Sequence, residues 1–427
     1  MANIAIDRLQ LDNGLRVTLS QDNRSPIVAV NLWYAVGSGH EKRGSTGFAH
    51  LFEHLMFQGS TNVAKGEHFS LIEASGGKAN ATTAWDRTNY FERLPSHELE
   101  LALWLESDRL ASLLPAMTQE KLDNQRQVVK NERRRDVDNK PYGSWDEKLQ
   151  TLLFPEGHPY QHPILGSMAD LDRASLADVS DFFAAHYAPN NAVLTIAGDF
   201  DPPAAHALVE RYFGPIPANP AVAPAPSTRI QTTVSAEMRE TVLDRVPLPR
   251  LYAAYRAPAF GSAAFEALEV AMDLLGSGRA SRLYRALVRE QQVAQDVSSF
   301  AFPEIGGAGV FVVSATARLG IRHEVLEAAM WTEVDRLTAL GPTDEELERV
   351  RNLYAAATES SLQRVGERAD RLSMYASNFD EPERINTEVV RYVSVDAVRV
   401  REALALSLRP DNRVLLTYLP TEDPLGA

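Results

Sequence analysis

There is no cysteine among the 427 residues. Disulfide scaffolds, thiol nucleophiles, iron–sulfur clusters and every cysteine-bearing zinc site are thereby excluded, so any metal must be held by His, Asp or Glu. Positive charge is also scarce: 43 basic against 57 acidic residues give a formal net charge of −14. A general phosphate-binding surface does not fit that balance, and no nucleic-acid partner is expected. The one basic run, Lys130 to Arg135, reads as a solvated helix face. No stretch approaches the ~18 apolar residues of a membrane helix, so no membrane span is expected. Polar residues interrupt the N-terminus every few positions and leave no signal-like apolar core. The expected location is cytoplasmic, or periplasmic if a leader was removed.

What remains is a chain of ordinary folded composition, 44% apolar and 23% charged, long enough for two or three domains. Composition shifts sharply once. Residues 215–226 read PIPANPAVAPAP and hold five of the 24 prolines, a segment with few donors that favours extended backbone. Taking 216–228 as a linker gives an N-terminal domain, 1–215, and a C-terminal domain, 229–427. The two halves share a signature. Pro189, Asn191 and Val193-Leu194 match Pro410, Asn412 and Val414-Leu415, and each set follows a helical pattern opened by a serine, Ser175 or Ser394. Helix, Pro-Asn turn and apolar strand in the same order point to a duplicated domain. Strand patterns at 15–20, 26–36, 192–197, 249–255, 308–316 and 413–418 alternate with runs of helices, including 46–57, 118–138 and 343–376. This favours an α+β class over strict βαβ alternation.

One stretch carries chemistry: Gly44-Ser-Thr-Gly-Phe-Ala-His50-Leu-Phe-Glu53-His54-Leu-Met-Phe-Gln-Gly59. Its apolar residues recur at helical spacing, Ser45 or Thr46 can cap its start, and Gly59 can end it. His50 and His54 are then i and i+4, with Cβ atoms ~6 Å apart. Both imidazoles can reach one ion, while Glu53 lies on the flank of the same face, placed to hold a water beside it. A catalytic metal site needs a third protein ligand and an open position. With no cysteine, the candidates are His, Asp and Glu. Glu132, in a helical segment with Thr118 as its cap, is on spacing alone one acidic residue among many.

His-x-x-Glu-His, with an acidic residue 78 positions later, resembles the pitrilysin and mitochondrial processing peptidase family, the insulinase-like inverzincin metallopeptidases. The likeness runs through nearly the whole chain, including GFAHLFEHLMFQGS, GGKANATTAWDRTNYF, VVKNERR and YAPNNAVLTIAGD. It implies that His50, His54 and Glu132 bind one zinc ion per chain, that Glu53 is the general base, and that the reaction is endopeptidase cleavage of oligopeptides or extended segments. It further implies two homologous domains, each a mostly antiparallel sheet flanked by helices, facing each other around a chamber. The stretch Gly76 to Thr83 matches the strand edge that family members pair with the substrate backbone, with Asn80 and Ala81 at the matching positions.

Two departures stand out. The family often carries a second acidic residue seven positions before the zinc-binding Glu; here Gln125 stands there. Single-chain members also carry an Arg and a Tyr in the second half that help stabilise the oxyanion. Arg289 is present, but Gln295 or Asp296 stands where the Tyr belongs. The implied arrangement is a hetero-oligomer whose homologous partner, lacking the zinc motif, supplies the Arg/Tyr pair. A metal-dependent peptide-binding or structural subunit without independent activity is the alternative.

Overall fold

The computed structural model describes residues 3–421. They fall into two compact units. The first runs up to Asn131 and adds His162–Pro226 and Ala357–Glu388. The second takes Glu132–Gln161, Ser227–Ala356 and the chain from Val389 on. The units are therefore not contiguous in sequence. One boundary lies at Pro226/Ser227, inside the proline-rich segment, but each half also gives a stretch to the other half's unit.

The first unit is built on a six-stranded sheet. Its strands are β1 (Asp7–Gln10), β2 (Arg16–Gln21), β3 (Ile27–Tyr34), β4 (Lys78–Thr83), β5 (Thr88–Pro95) and β6 (Ala192–Gly198), in the order β1-β2-β6-β3-β5-β4. Only β2 and β6 pair in parallel. β3 reads IVAVNLWY and is buried at every position after Ile27, because both faces of the sheet are covered. Val28, Val30, Leu32 and Tyr34 face the main core. Ala29 and Trp33 face the helix Val365–Phe379, with Ala29, Ala197 and Ala369 in contact where helix and sheet meet. Small side chains on both surfaces let the two backbones approach.

In the second unit the strands β7 (Met238–Asp244), β8 (Arg250–Ala257), β9 (Ala294–Phe302), β10 (Gly309–Ala317) and β11 (Arg413–Pro420) are ordered β7-β11-β8-β10-β9. β7 and β11 form its one parallel pair. Without β1, the first sheet has the same connectivity, strand for strand. The repeat extends to side chains: Asn191 Nδ2 donates to His186 O at 2.8 Å, and Asn412 Nδ2 donates to Ser407 O at 2.7 Å. Each asparagine closes the helix five residues behind it, which is why the Pro-Asn signature recurs. The second sheet's other face is covered by the helix Trp145–Leu153. Trp145 stacks on Tyr252 with ring centroids 4.9 Å apart.

Three expected boundaries differ. The pattern at 343–376 is two helices, Asp344–Leu362 and Val365–Phe379, parted at Arg364, whose extended backbone starts the second. The pattern at 118–138 is an α-helix to Arg133 followed by a wider turn, Arg134–Asp138. Asp396, not Ser394, caps the C-terminal helix Ala397–Ser407, accepting from the N–H of its third residue, Arg399, at 2.8 Å. Its carboxylate stands at the N-cap itself, two residues nearer the helix.

Phe52 is fully buried against Phe182, Phe183 and Tyr187. Phe52→Ala should cost about 3–5 kcal/mol in urea unfolding of the first unit. In the second unit, Thr343 and Glu346 form a reciprocal cap on Asp344–Leu362. Burial opposes ionisation of Glu346, but Arg282 and the Thr343 N–H outweigh it and hold the carboxyl down to about 2, from a usual 4.5. The depressed folded value means stability present above pH 4.5 and lost as pH falls toward 2. Thermal unfolding followed against pH should show a loss in that window, reduced in Arg282→Met.

Candidate metal centre and its strand edge

The helix Phe48–Leu55 buries Phe48, Leu51, Phe52 and Leu55 and turns His50, Glu53 and His54 to the other side, where each is half-buried. Its start is not capped by Ser45 or Thr46. The left-handed Gly47 precedes it, and the buried carboxylate of Glu41 takes the N–H groups of Gly47 at 2.8 Å and Ala49 at 2.7 Å. Thr46 is turned away: its N–H and hydroxyl donate to Asp170 at 3.0 and 2.7 Å. A glycine is needed at 166 as well, because an added Cβ would lie 2.2 Å from the Gly47 nitrogen. Carboxylates are favourable at a helix N-terminus, and here they fix both where the helix begins and how it is rotated.

Glu132 occupies the last turn of the helix Gln119–Arg133, which belongs to the first unit up to Asn131. The helix is continuous, so the position of Glu132 follows from how the preceding turns are held. Val129 and Leu122 are fully buried. Arg126 donates to Leu171 O and Ala174 O, both at 2.7 Å, and Lys130 pairs with Asp172 at 2.7 Å. The result is a cluster of one ligand atom each from His50, His54 and Glu132, all within 4.8 Å of one another. The imidazole rings of His50 and His54 are 4.8 Å apart and nearly perpendicular. Burial, and then the charge of His54, push His50 down to about 3. It is neutral at physiological pH, the form in which a metal is bound.

That donor set fits zinc: two neutral imidazoles and a carboxylate, close enough to share one ion, with a coordination position left over. A second group, His68, Glu92 and Glu106, is equally close but wholly buried. Arg109 is ion-paired with Glu106 and lies 3.7 Å from Glu92. A guanidinium already stands where a cation would sit, so this group reads as a structural ion network.

Glu53 is oriented by β4. Thr83 Oγ1 donates to Glu53 Oε2 at 2.6 Å. Sequence reasoning missed Thr83, and no spacing could have tied it to Glu53, because the link arises from sheet packing. β4 is the end strand of its sheet, with β5 on one side and no strand on the other among the described residues. Asn80 is exposed and Ala81 is buried, on opposite faces of it. Gln125 is buried, and its amide donates to Asn124 at 3.0 Å. Arg289 lies exposed on the second unit, in the turn Tyr284–Glu290. Asp296 is on β9, where it accepts from Thr316 at 2.9 Å and faces Arg250 at 4.0 Å.

Comparison with known proteins places this geometry. Residues 16–165 match the family model described as insulinase (peptidase family M16), and residues 173–354 match the model described as peptidase M16 inactive domain. The chain belongs to peptidase family M16. His50, Glu53, His54 and Glu132 all lie in the first M16 match. The second holds Arg289 and contains no His-x-x-Glu-His. The zinc protease PqqE of Helicobacter pylori is 28% identical over 359 residues, which are 84% of this chain and 80% of that one. An uncharacterized zinc protease of Streptomyces coelicolor is 26% identical over 416 residues, 96% of this chain and 89% of that one. The crystal structure of a protease from Helicobacter pylori superposes with a TM-score of 0.91 over 98% of this chain and 100% of that one, at 24% identity. The fold is thus the M16 fold.

Glu41→Ala would leave the Gly47 and Ala49 N–H groups buried without an acceptor. The expected cost is about 1–3 kcal/mol in chemical denaturation, together with a weaker hold on added zinc by calorimetric titration.

Proposed function

We propose that the chain is a zinc metalloendopeptidase acting on oligopeptides or extended segments, and the observation that carries this is the convergence of His50, His54 and Glu132 beside an oriented Glu53. His50, His54 and Glu132 hold the ion, one per chain. Zinc bound there supplies a Lewis acid and a water of lowered pKa. The substrate backbone pairs with the open edge of β4 at Asn80 and Ala81, so main-chain hydrogen bonds bind a peptide largely regardless of its sequence. The same strand carries Thr83, whose hydroxyl fixes the plane of the Glu53 carboxylate. Glu53 takes a proton as water adds to the carbonyl carbon and returns it to the departing amine as the C–N bond breaks. One water is consumed, and an acid and an amine result.

At the position where single-chain members carry an oxyanion-stabilising Tyr, this chain has Gln295 or Asp296. Asp296 is an acceptor engaged by Thr316 and Arg250, and a carboxylate there opposes a developing oxyanion. The reading therefore includes a homologous partner subunit without the zinc motif, which contributes an Arg/Tyr pair. Its assay compares peptide hydrolysis by the chain alone and mixed with such a paralogue. Stimulation supports the partner, and equal rates remove it.

Glu53→Gln tests the chemistry. It should retain zinc, measured by elemental analysis, while kcat falls by about 10²–10⁴, the usual worth of a general base. A fully metallated variant that cuts peptides at the wild-type rate would show that Glu53 is not the base.

A further inference from the structure

A cavity of about 520 Å³ opens on the face of the first sheet that carries Lys78, Asn80 and Thr82, between β4–β5 and the start of the helix Val365–Phe379. Its charged walls are Lys78, Arg87, Arg93 and Arg364 against Glu367 and Asp370, with Glu92 buried and turned to His68 and Arg109. The acidic pair is already engaged. Glu367 lies 3.9 Å from Arg364, and Asp370 accepts from Asn31 and Asn89 at 3.2 and 3.0 Å and feels the charge of Arg87. Lys78 and Arg93 differ. They are register partners across β4 and β5, so both project from the same face, directly opposite one another. Both are exposed, and neither side chain has an ion pair or hydrogen bond among the described residues. Like charges in that position are destabilising. In a chain of net charge −14, two unneutralised cations at the rim of a cavity beside an open strand edge form a local site for an anion.

We propose that Lys78 and Arg93 bind a carboxylate of the peptide, making this an acid-selecting subsite. The inference rests on the proposed use of β4 as the substrate-pairing edge. A strand added there lies ~4.8 Å away and sends every second side chain onto this face. Lys78 is five residues from Thr83, roughly 17 Å along the strand at ~3.3 Å per residue. The carboxylate therefore belongs about four to six residues from the bond that is cut. It comes from an Asp or Glu side chain or from the peptide's own C-terminus.

The test uses the full chain carrying Glu53→Gln, with zinc, and reads peptide binding by fluorescence anisotropy. Wild-type turnover of the same peptides is read in parallel. One peptide series moves a single Glu or Gln along an otherwise neutral sequence; a second compares free with amidated C-termini. A Glu at one position, or a free C-terminus, should bind about fivefold more tightly than its neutral counterpart, the worth of two exposed ion pairs. That preference should shrink at high salt, vanish in Lys78→Gln/Arg93→Gln and reverse in Lys78→Glu/Arg93→Glu. Position-dependent Glu preference assigns the side chain as the source, and preference for the free terminus assigns the C-terminus; either supports the subsite. Peptides bound and cut with no carboxylate preference, or with one that survives charge reversal, would overturn the subsite and leave the proposed function standing. If no peptide is bound or cut by the chain alone or mixed with the homologous paralogue, the proposed function fails and the subsite fails with it.

Discussion

A single turn of α-helix carries His50 and His54, and the candidate site depends on keeping that turn in place. Two imidazoles one turn apart can share an ion only if the helix starts at the right residue and faces the right way. Glu41 sets the start by taking two of the helix's free N–H groups. Phe48, Phe52 and Leu55 set the rotation by filling the core behind it. The third donor cannot be arranged by the same turn, so a second helix brings it, held by Arg126 and Lys130 to the segment Leu171–Ala174. Glu41, Arg126 and Lys130 act as polar anchors, bonded to backbone groups or to an opposite charge. Such bonds act over fixed directions, whereas apolar packing tolerates sliding.

The same topology is used twice with different outcomes. Both sheets have one parallel pair, a Pro-Asn turn leading into a buried strand, and the matching strands β4 and β9 at an edge. In the first, β4 lies against the helix Phe48–Leu55 through Thr83. In the second, no paired histidines exist, and β9 shows Gln295 and Asp296 to its surroundings. The scaffold is the same in both units, and the His50, His54 and Glu132 cluster has no counterpart at the matching place in the second. This agrees with a second family match described as an inactive domain.

Much of this was legible in the chain itself. The His-Glu-His spacing, the repeated asparagine turns and the α+β class all follow from local pattern, because helix periodicity and turn chemistry act over a few residues. Glu132 was legible only through family resemblance, since nothing in a 78-residue separation fixes where two helices meet. The sequence pattern points to Ser45 or Thr46 as the cap of the helix Phe48–Leu55, but the buried carboxyl group of Glu41, reaching forward from outside the motif, outcompetes the neighbouring hydroxyls. Helix 343–376 was read as one piece because its amphipathic pattern barely changes at Arg364. The break follows from packing: the first helix starts in the second unit and passes into the first at Ala356/Ala357, and the second helix, Val365–Phe379, must turn to lie on the first unit's sheet. The Lys78–Arg93 pair was invisible for a similar reason, being a product of strand register rather than sequence distance.

The proposed zinc grip of His50, His54 and Glu132 can be seen by anomalous diffraction from crystals of the zinc-loaded chain, recorded on both sides of the zinc absorption edge. A single strong peak is expected, bounded by these three side chains and about 2.0–2.1 Å from a nitrogen of each histidine. A peak at His68, Glu92 and Glu106 instead, or zinc held by the two histidines with Glu132 turned away, would contradict it.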